Sequence, residues 1–289
     1  MTTADRAPTE LSLQLPHLQI AALAWGDPAH PPLLALHGWL DSAASFVPLA
    51  PLLADRFRLV AVDLPGHGRS AHRSPGIWYH YADYLDDIRA ILAALGWSRC
   101  HLLGHSLGAV LASVYAAAWP DAVERLLLIE GLGPLTAEPA DALTQLRRGL
   151  AQQSAFVEKT LRIFASIEEA VTARRAAGDL GENAARLLVE RGLQQVAGGW
   201  SWSSDPRLTL PSPLRQTESQ VQAVLRGIIA PTLLVLGEPP SAYLGPAAMQ
   251  ARIASVADLE ILRLPGHHHL HMEDPLPIAQ AIRAFCGMD

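Results

Sequence analysis

The sequence predicts an α/β protein: one mostly parallel sheet with helices on both faces and a helical insertion. Three observations predict it. Short apolar runs alternate with stretches of helical spacing over most of the 289 residues, the pattern of parallel strands buried on both faces. From Gly133 to about Gly227 that alternation stops, for far longer than an ordinary loop. At Gly104-His105-Ser106-Leu107-Gly108 an apolar run turns directly into a helical pattern, with glycines two residues either side of a serine.

Taken in order, Leu11–Leu15 and Leu18–Trp25 read as an opening hairpin across Pro16-His17, followed by a turn at Gly26-Asp27-Pro28. Leu33–Leu36 is a buried strand ending in His37-Gly38-Trp39. Ser42 then reads as the N-cap of a helix to about Ala54. Arg58–Val62 is the next strand, running into the Asp63–Ser70 loop. Tyr81, Leu85, Ile88, Leu92 and Leu95 share one helical face, and Gly96 ends that helix. Arg99–Leu103 is a strand. The helix after Ser106 runs to Trp119 and stops at Pro120. Val123–Ile129 is a strand ending at Glu130-Gly131. The insertion predicts helices at Ala140–Arg148, Gln153–Phe164, Ile167–Ala177 and Asn183–Gln195, then a tryptophan- and proline-rich loop from Gly198 to Pro213. Thr232–Leu236 and Leu259–Leu264 bring the strands to eight. Pro246–Val256 and Pro277–Phe285 are helices. The expected organisation is a core of residues 1–132, an inserted cap or lid of residues 133–227, and a second core part of residues 228–289.

Composition narrows the function. Half the residues are hydrophobic and 17% are charged, which excludes a disordered chain or a coiled coil. Net charge is −6, with Lys159 the only lysine. A nucleic-acid partner is therefore not expected. No apolar run approaches a membrane span, and residues 1–10 lack the apolar centre of a secretory signal. Cys100 and Cys286 have no metal spacing and suggest no disulfide framework. The expectation is a soluble, cytoplasmic protein. Nothing in the sequence speaks to its oligomeric state.

The chemistry starts at Ser106. Gly-x-Ser-x-Gly between a strand and a helix is a nucleophile elbow, a tight turn that holds the hydroxyl clear of the sheet at a helix N-terminus. A serine needs a base, and His267, His268, His269 and His271 follow the last strand. No carboxylate or cysteine stands beside them in a metal-ligand pattern, so neither a metal nor a cofactor is expected. Glu130 directly follows an apolar parallel strand, at the sheet edge where ligand sites gather. Leu107, the residue after the nucleophile, is one expected backbone donor to an oxyanion.

These segments resemble the α/β-hydrolase superfamily from about Leu11 onward. The resemblance rests on His37-Gly38-Trp39, on Asp63-Leu64-Pro65-Gly66-His67-Gly68-Arg69-Ser70, on the elbow, and on Gly266-His267-His268-His269-Leu270-His271-Met272-Glu273-Asp274-Pro275. The stretch Gly198–Leu208 resembles the serine hydrolase-like branch more narrowly. By that resemblance the catalytic histidine lies five residues before Glu273, at His268, and Trp39 supplies the second oxyanion N–H. His37 and Asp63 are expected to be structural. Most relatives carry a triad aspartate where Pro240 stands here. Some members place the acid after the sixth strand instead, which implies Glu130, with Glu238 as the alternative. His105, Trp200 and Trp202 are candidate substrate-binding residues.

The reading that follows is a serine hydrolase of an ester or thioester, a small molecule with an apolar acyl group. Acyl transfer, carbon–carbon bond hydrolysis or perhydrolysis on the same fold is the alternative. A non-catalytic ligand-binding homologue is a third reading, favoured only by the missing acid at Pro240.

Overall fold

The structure, a computed structural model, describes residues 7–156, 161–178, 180–241 and 245–288. Its first strands are β1 (Thr9–Gln14), β2 (Gln19–Trp25), β3 (Pro32–Leu36), β4 (Arg58–Val62), β5 (Cys100–His105) and β6 (Val123–Ile129). Three short ones follow, β7 (Ile163–Phe164), β8 (Leu193–Val196) and β9 (Gly199–Trp202), then β10 (Thr232–Glu238) and β11 (Leu259–Pro265). The helices are α1 (Tyr81–Leu95), α2 (Leu107–Ala118), α3 (Ala142–Ser154), α4 (Ile167–Ala176), α5 (Glu182–Gly192), α6 (Glu218–Leu225), α7 (Pro246–Ile253), α8 (Leu270–Glu273) and α9 (Pro275–Phe285).

The eight predicted strands form one sheet in the order β1-β2-β4-β3-β5-β6-β10-β11. The pairs from β4 to β11 are parallel, and β2 is antiparallel to both β1 and β4. Both faces are covered. On one, Ile88, Ile91, Leu111 and Tyr115 of α1 and α2 pack on the sheet. On the other, Phe46, Leu49, Phe57 and α9 residues Ile278 and Ile282 do so. This double burial explains why the central strands read as unbroken apolar runs. Among the described residues no helix is long and apolar enough to cross a membrane.

Four local expectations are corrected. Residues 43–54 form two 3₁₀ turns, Ala43–Phe46 and Ala50–Leu52, and Ser42 makes no side-chain capping bond. Pro48 and Pro51 lack the N–H that a continuous helix needs and clash with the preceding turn. The helix expected over Gln153–Phe164 does not form: α3 ends at Ser154 and Ile163–Phe164 is a strand. Residues 157–160 lie outside the described ones. The helix expected to reach Gln195 stops at Gly192 and becomes β8. The tryptophan-rich loop contains β9, which pairs antiparallel with both β7 and β8.

Arginines tie residues 133–227 to the rest of the fold. Arg191 Nε lies 3.0 Å from both carboxylate oxygens of Asp63, and its Nη1 bonds Glu10 at 2.8 Å. Arg174 Nη2 bonds Asp41 Oδ1 at 2.7 Å. Arg252, fully buried in α7, donates to the carbonyls of Leu132, Gly133 and Pro134 and pairs with Glu218. The planar, always-charged guanidinium suits such forked contacts better than a lysine ammonium.

Candidate active site

Ser106 sits between β5 and α2 with φ 51° and ψ −113°. A left-handed φ on a residue with a Cβ costs on the order of 1–3 kcal/mol and persists only where neighbours over-determine it. Here they do. Ser106 N–H bonds the Ile129 carbonyl at 2.9 Å, and Gly108 N–H bonds the His37 carbonyl at 3.0 Å. The glycines are a steric necessity. A Cβ on Gly104 would lie 2.3 Å from the Gly108 carbonyl oxygen, and one on Gly108 1.9 Å from that of Leu36. Tight passage of helix past strand is what these positions supply.

Glu130 follows β6 as Ser106 follows β5, each one residue beyond the paired His105 and Ile129. It too has a left-handed backbone, φ 55°. Its side chain is buried. Oε1 accepts the Gly237 N–H at 2.6 Å, and Oε2 lies 3.3 Å from His268 Nδ1. Burial pushes this carboxyl's pKa up, but hydrogen bonds from His268, Gly237 and Ser241 outweigh it, and the net shift is downward. The alternative acid, Glu238, is exposed, whereas His268 Nδ1 is turned to Glu130.

His268 follows β11 and is a third exposed at its side chain. It belongs to a cluster of mutually tilted imidazoles. The His105 ring centroid lies 4.8 Å from that of His268, 5.1 Å from His269 and 4.2 Å from His271. His105 Nε2 donates to the His268 carbonyl at 2.8 Å, so the residue before Ser106 carries the backbone of the predicted base. His271 bonds Ser45 Oγ at 2.7 Å, and burial holds its pKa down to about 3. His267 is exposed.

Of the two expected oxyanion donors, Trp39 lies in the turn after β3 and Leu107 opens α2 directly after Ser106. Among the described residues, the backbone N–H of Trp39 makes no hydrogen bond. Leu107 is the first residue of α2, where an N–H has no partner within its own helix. The Trp39 ring turns away and donates Nε1–H to the Leu208 carbonyl at 3.0 Å. His37 is structural: Nδ1–H donates to the Gly38 carbonyl and Nε2 accepts the Leu64 N–H, so it ties two turns together. Asp63 likewise braces turns, accepting from Ala43 and Arg69 N–H groups. Trp202 packs edge-on to Phe164 and lines a cavity of about 310 Å³ with Leu40, Ala173 and Arg174. Trp200 packs beside the same apolar cluster of the inserted stretch.

Sequence reasoning missed one participant, Asp41. The sequence shows no carboxylate beside the histidines in a metal-ligand pattern, but the structure brings this one to them. Oδ2 of Asp41 lies 3.1 Å from His269 Nε2 and 3.7 Å from His105 Nδ1. Burial raises its pKa, but bonds and charges from His269, Arg174 and His105 hold it well below the usual carboxylate range. Its one sequence signal was its place four residues after His37, at the sheet's C-terminal edge.

A strained serine turn between a strand and a helix, a histidine after the last strand and a carboxylate facing it point to a class of protein, and comparison with known proteins agrees with that class. The family described as alpha/beta hydrolase fold matches residues 31–238. The chain belongs to the α/β-hydrolase fold family and is a hydrolase by class. Within it, the similarity is to the serine hydrolase-like branch. The serine hydrolase-like protein of Danio rerio is 31% identical over 98% of this chain and 90% of its own. Among solved structures, a hypothetical protein of Pseudomonas aeruginosa PAO1 superposes with a TM-score of 0.91 at 43% identity, covering 96% of this chain and 97% of its own. A thioesterase domain from the curacin biosynthetic pathway superposes with a TM-score of 0.83 at 32% identity, covering 96% and 99%.

Proposed function

We propose that this chain is a serine hydrolase that cleaves a carboxylic ester or thioester through a Ser106–His268–Glu130 triad. The observation that carries the reading is the Glu130 carboxylate 3.3 Å from His268 Nδ1, at the strand end next to the Ser106 turn. In this reading His268 Nε2 takes the Ser106 proton as Oγ attacks the substrate carbonyl. The N–H groups of Trp39 and Leu107 stabilise the oxyanion. His268 then returns the proton to the leaving alcohol or thiol, and water hydrolyses the acyl-enzyme by the same route. Glu130 holds the imidazole in the Nδ1–H tautomer and stabilises the imidazolium.

Residues 133–227 act as the cap over this site. The cavity beside Trp202 and Phe164 is the proposed room for an apolar acyl group. Likeness to a thioesterase domain favours thioesters within the proposed class. The buried free thiols of Cys100 and Cys286 support a reducing, cytoplasmic setting.

The test is covalent labelling by a fluorophosphonate, read by mass. One adduct on Ser106, absent in Ser106→Ala, is expected. A folded protein that gains no mass would remove the reading. A screen of acyl chain lengths as p-nitrophenyl esters and as CoA thioesters then defines the substrate.

A further inference from the structure

Asp41, His105 and His269 converge beside the Ser106 turn and have no chemical step in the proposed reaction. They are 5%, 0% and 8% exposed. His105 Nε2 meets the backbone oxygen of His268 at 2.8 Å. A carbonyl only accepts, so Nε2 carries the proton and Nδ1 presents a lone pair. Nδ1 is buried without a hydrogen-bond partner. It lies 3.7 Å from Asp41 Oδ2, itself an acceptor. A lone pair facing a carboxylate oxygen in a dry setting is unfavourable unless positive charge stands between them. His269 Nε2 lies 3.1 Å from the same oxygen. Gly38 borders this point. A Cβ there would stand 2.8 Å from Asp41 Oδ2 and 2.9 Å from His105 Nδ1, so only glycine leaves the space open. The three candidate donor atoms all lie within 4.8 Å of one another.

We propose that Asp41 Oδ2, His105 Nδ1 and His269 Nε2 form a binding site for one divalent transition-metal cation of the Zn²⁺ type. Two imidazoles and a carboxylate suit Zn²⁺, with water in the fourth position, and not the all-oxygen preference of Ca²⁺ or Mg²⁺. Tetrahedral bonds of about 2.0–2.1 Å put donors about 3.3 Å apart. The separations from Asp41 Oδ2, 3.1 Å to His269 Nε2 and 3.7 Å to His105 Nδ1, bracket that spacing. The His105–His268 carbonyl bond is the outer contact that fixes a ligating imidazole's orientation. On binding, His269 loses its Nε2 proton to solvent and takes one at Nδ1, so it ligates as a neutral ring. Arg174 occupies only Oδ1 of Asp41. It weakens the pull on a cation without covering Oδ2.

The site does not depend on the proposed reaction, and its test needs no turnover. Zn²⁺ is titrated into the intact protein against a chromophoric chelator. One equivalent is expected to bind, with affinity falling at least ~10–100-fold in Asp41→Asn and in His269→Gln. No stoichiometric binding, or binding that both variants retain through surface histidines such as His267, overturns the proposal. Because a buried substitution can unfold the chain, Co²⁺ bound to the unaltered protein provides a second measurement. Intense visible bands of four-coordinate Co²⁺ support the site, and a weak six-coordinate spectrum overturns it.

Discussion

His268 Nδ1 and Glu130 Oε2 meet at 3.3 Å although 138 residues separate them in the chain. The meeting spans three neighbouring strands. Glu130 leaves the end of β6, His268 follows β11, and the N–H of Gly237 on the intervening β10 fixes the other carboxylate oxygen. Glu130→Gln removes the charge that would stabilise an imidazolium and allows the wrong tautomer. The expected result is a fall in kcat of about 10³–10⁴-fold with the fold retained. Steady-state turnover on an ester, beside a thermal melt, checks it. A loss below tenfold would reduce Glu130 to a brace for its own turn.

Gly104→Ala and Gly108→Ala place a methyl inside contact distance of backbone, which no rotamer change relieves. Each is expected to cost more than about 4 kcal/mol or to prevent folding. Soluble yield and urea unfolding read this out. Gly76→Ala serves as a control: it meets no atom within 4 Å, though its φ of 83° carries some backbone strain.

Arg174→Met leaves the Asp41 carboxylate buried without its guanidinium partner. Removing one partner of a buried pair costs about 3–5 kcal/mol. Arg174 keeps 17% of its side chain exposed, which screens part of the effect. We expect a loss of about 1–3 kcal/mol by urea unfolding. Arg174→Met/Asp41→Asn should recover part of it, because the stranded charge is gone.

Stability should fall steeply in mild acid. Burial pushes His37 down to about 4, and His67 and His271 down to about 3, from an ordinary value near 6.5. The unfolded chain therefore takes up protons at these rings as pH falls through 6.5, while the folded chain does not until near 3–4. Stability is full above about pH 6.5 and is lost below it, at about 1.4 kcal/mol per pH unit per ring. Three rings give roughly 4 kcal/mol per unit, so total stability of the usual 5–15 kcal/mol is spent within a few pH units. Urea unfolding at pH 7, 6 and 5 checks the slope. Equal stability at pH 7 and pH 5 would contradict it.

The sheet was legible because each central strand is an apolar run ended by a turn residue, and β4, β6 and α1 have the bounds their patterns predict. Ser106 and Glu130 were legible as candidates for a related reason: each stands where an apolar strand gives way to a turn, whereas His268 was singled out from its neighbouring histidines by the family resemblance alone. The small sheet of the inserted stretch was not legible. Strands of two to four residues, such as Ile163–Phe164 and Gly199–Trp202, are too short to show a period. Its one signal was the Gly198-Gly199 pair at the turn between β8 and β9, where both residues have positive φ (90° and 146°). Helix α6 also went unread, although Thr217 and Gln220 form a capping box at its start. Asp41 had no such marker. Its partners, His105, Arg174 and His269, come from three distant parts of the chain, and only the closed fold brings them together.

The left-handed backbone at Ser106 and at Glu130 has a consequence for how this protein could be improved. Ser106→Gly and Glu130→Gly would each relieve conformational strain, of order 1–3 kcal/mol before the lost side-chain contacts are subtracted. Selection for heat resistance alone would therefore favour glycine at Ser106, where the proposed reaction cannot tolerate it, whereas at Glu130 the same change strands the buried Gly237 N–H. In this fold, thermal robustness and turnover are set against each other at a single codon, and a stabilised variant that still labels at Ser106 must draw its gain from elsewhere in the sheet.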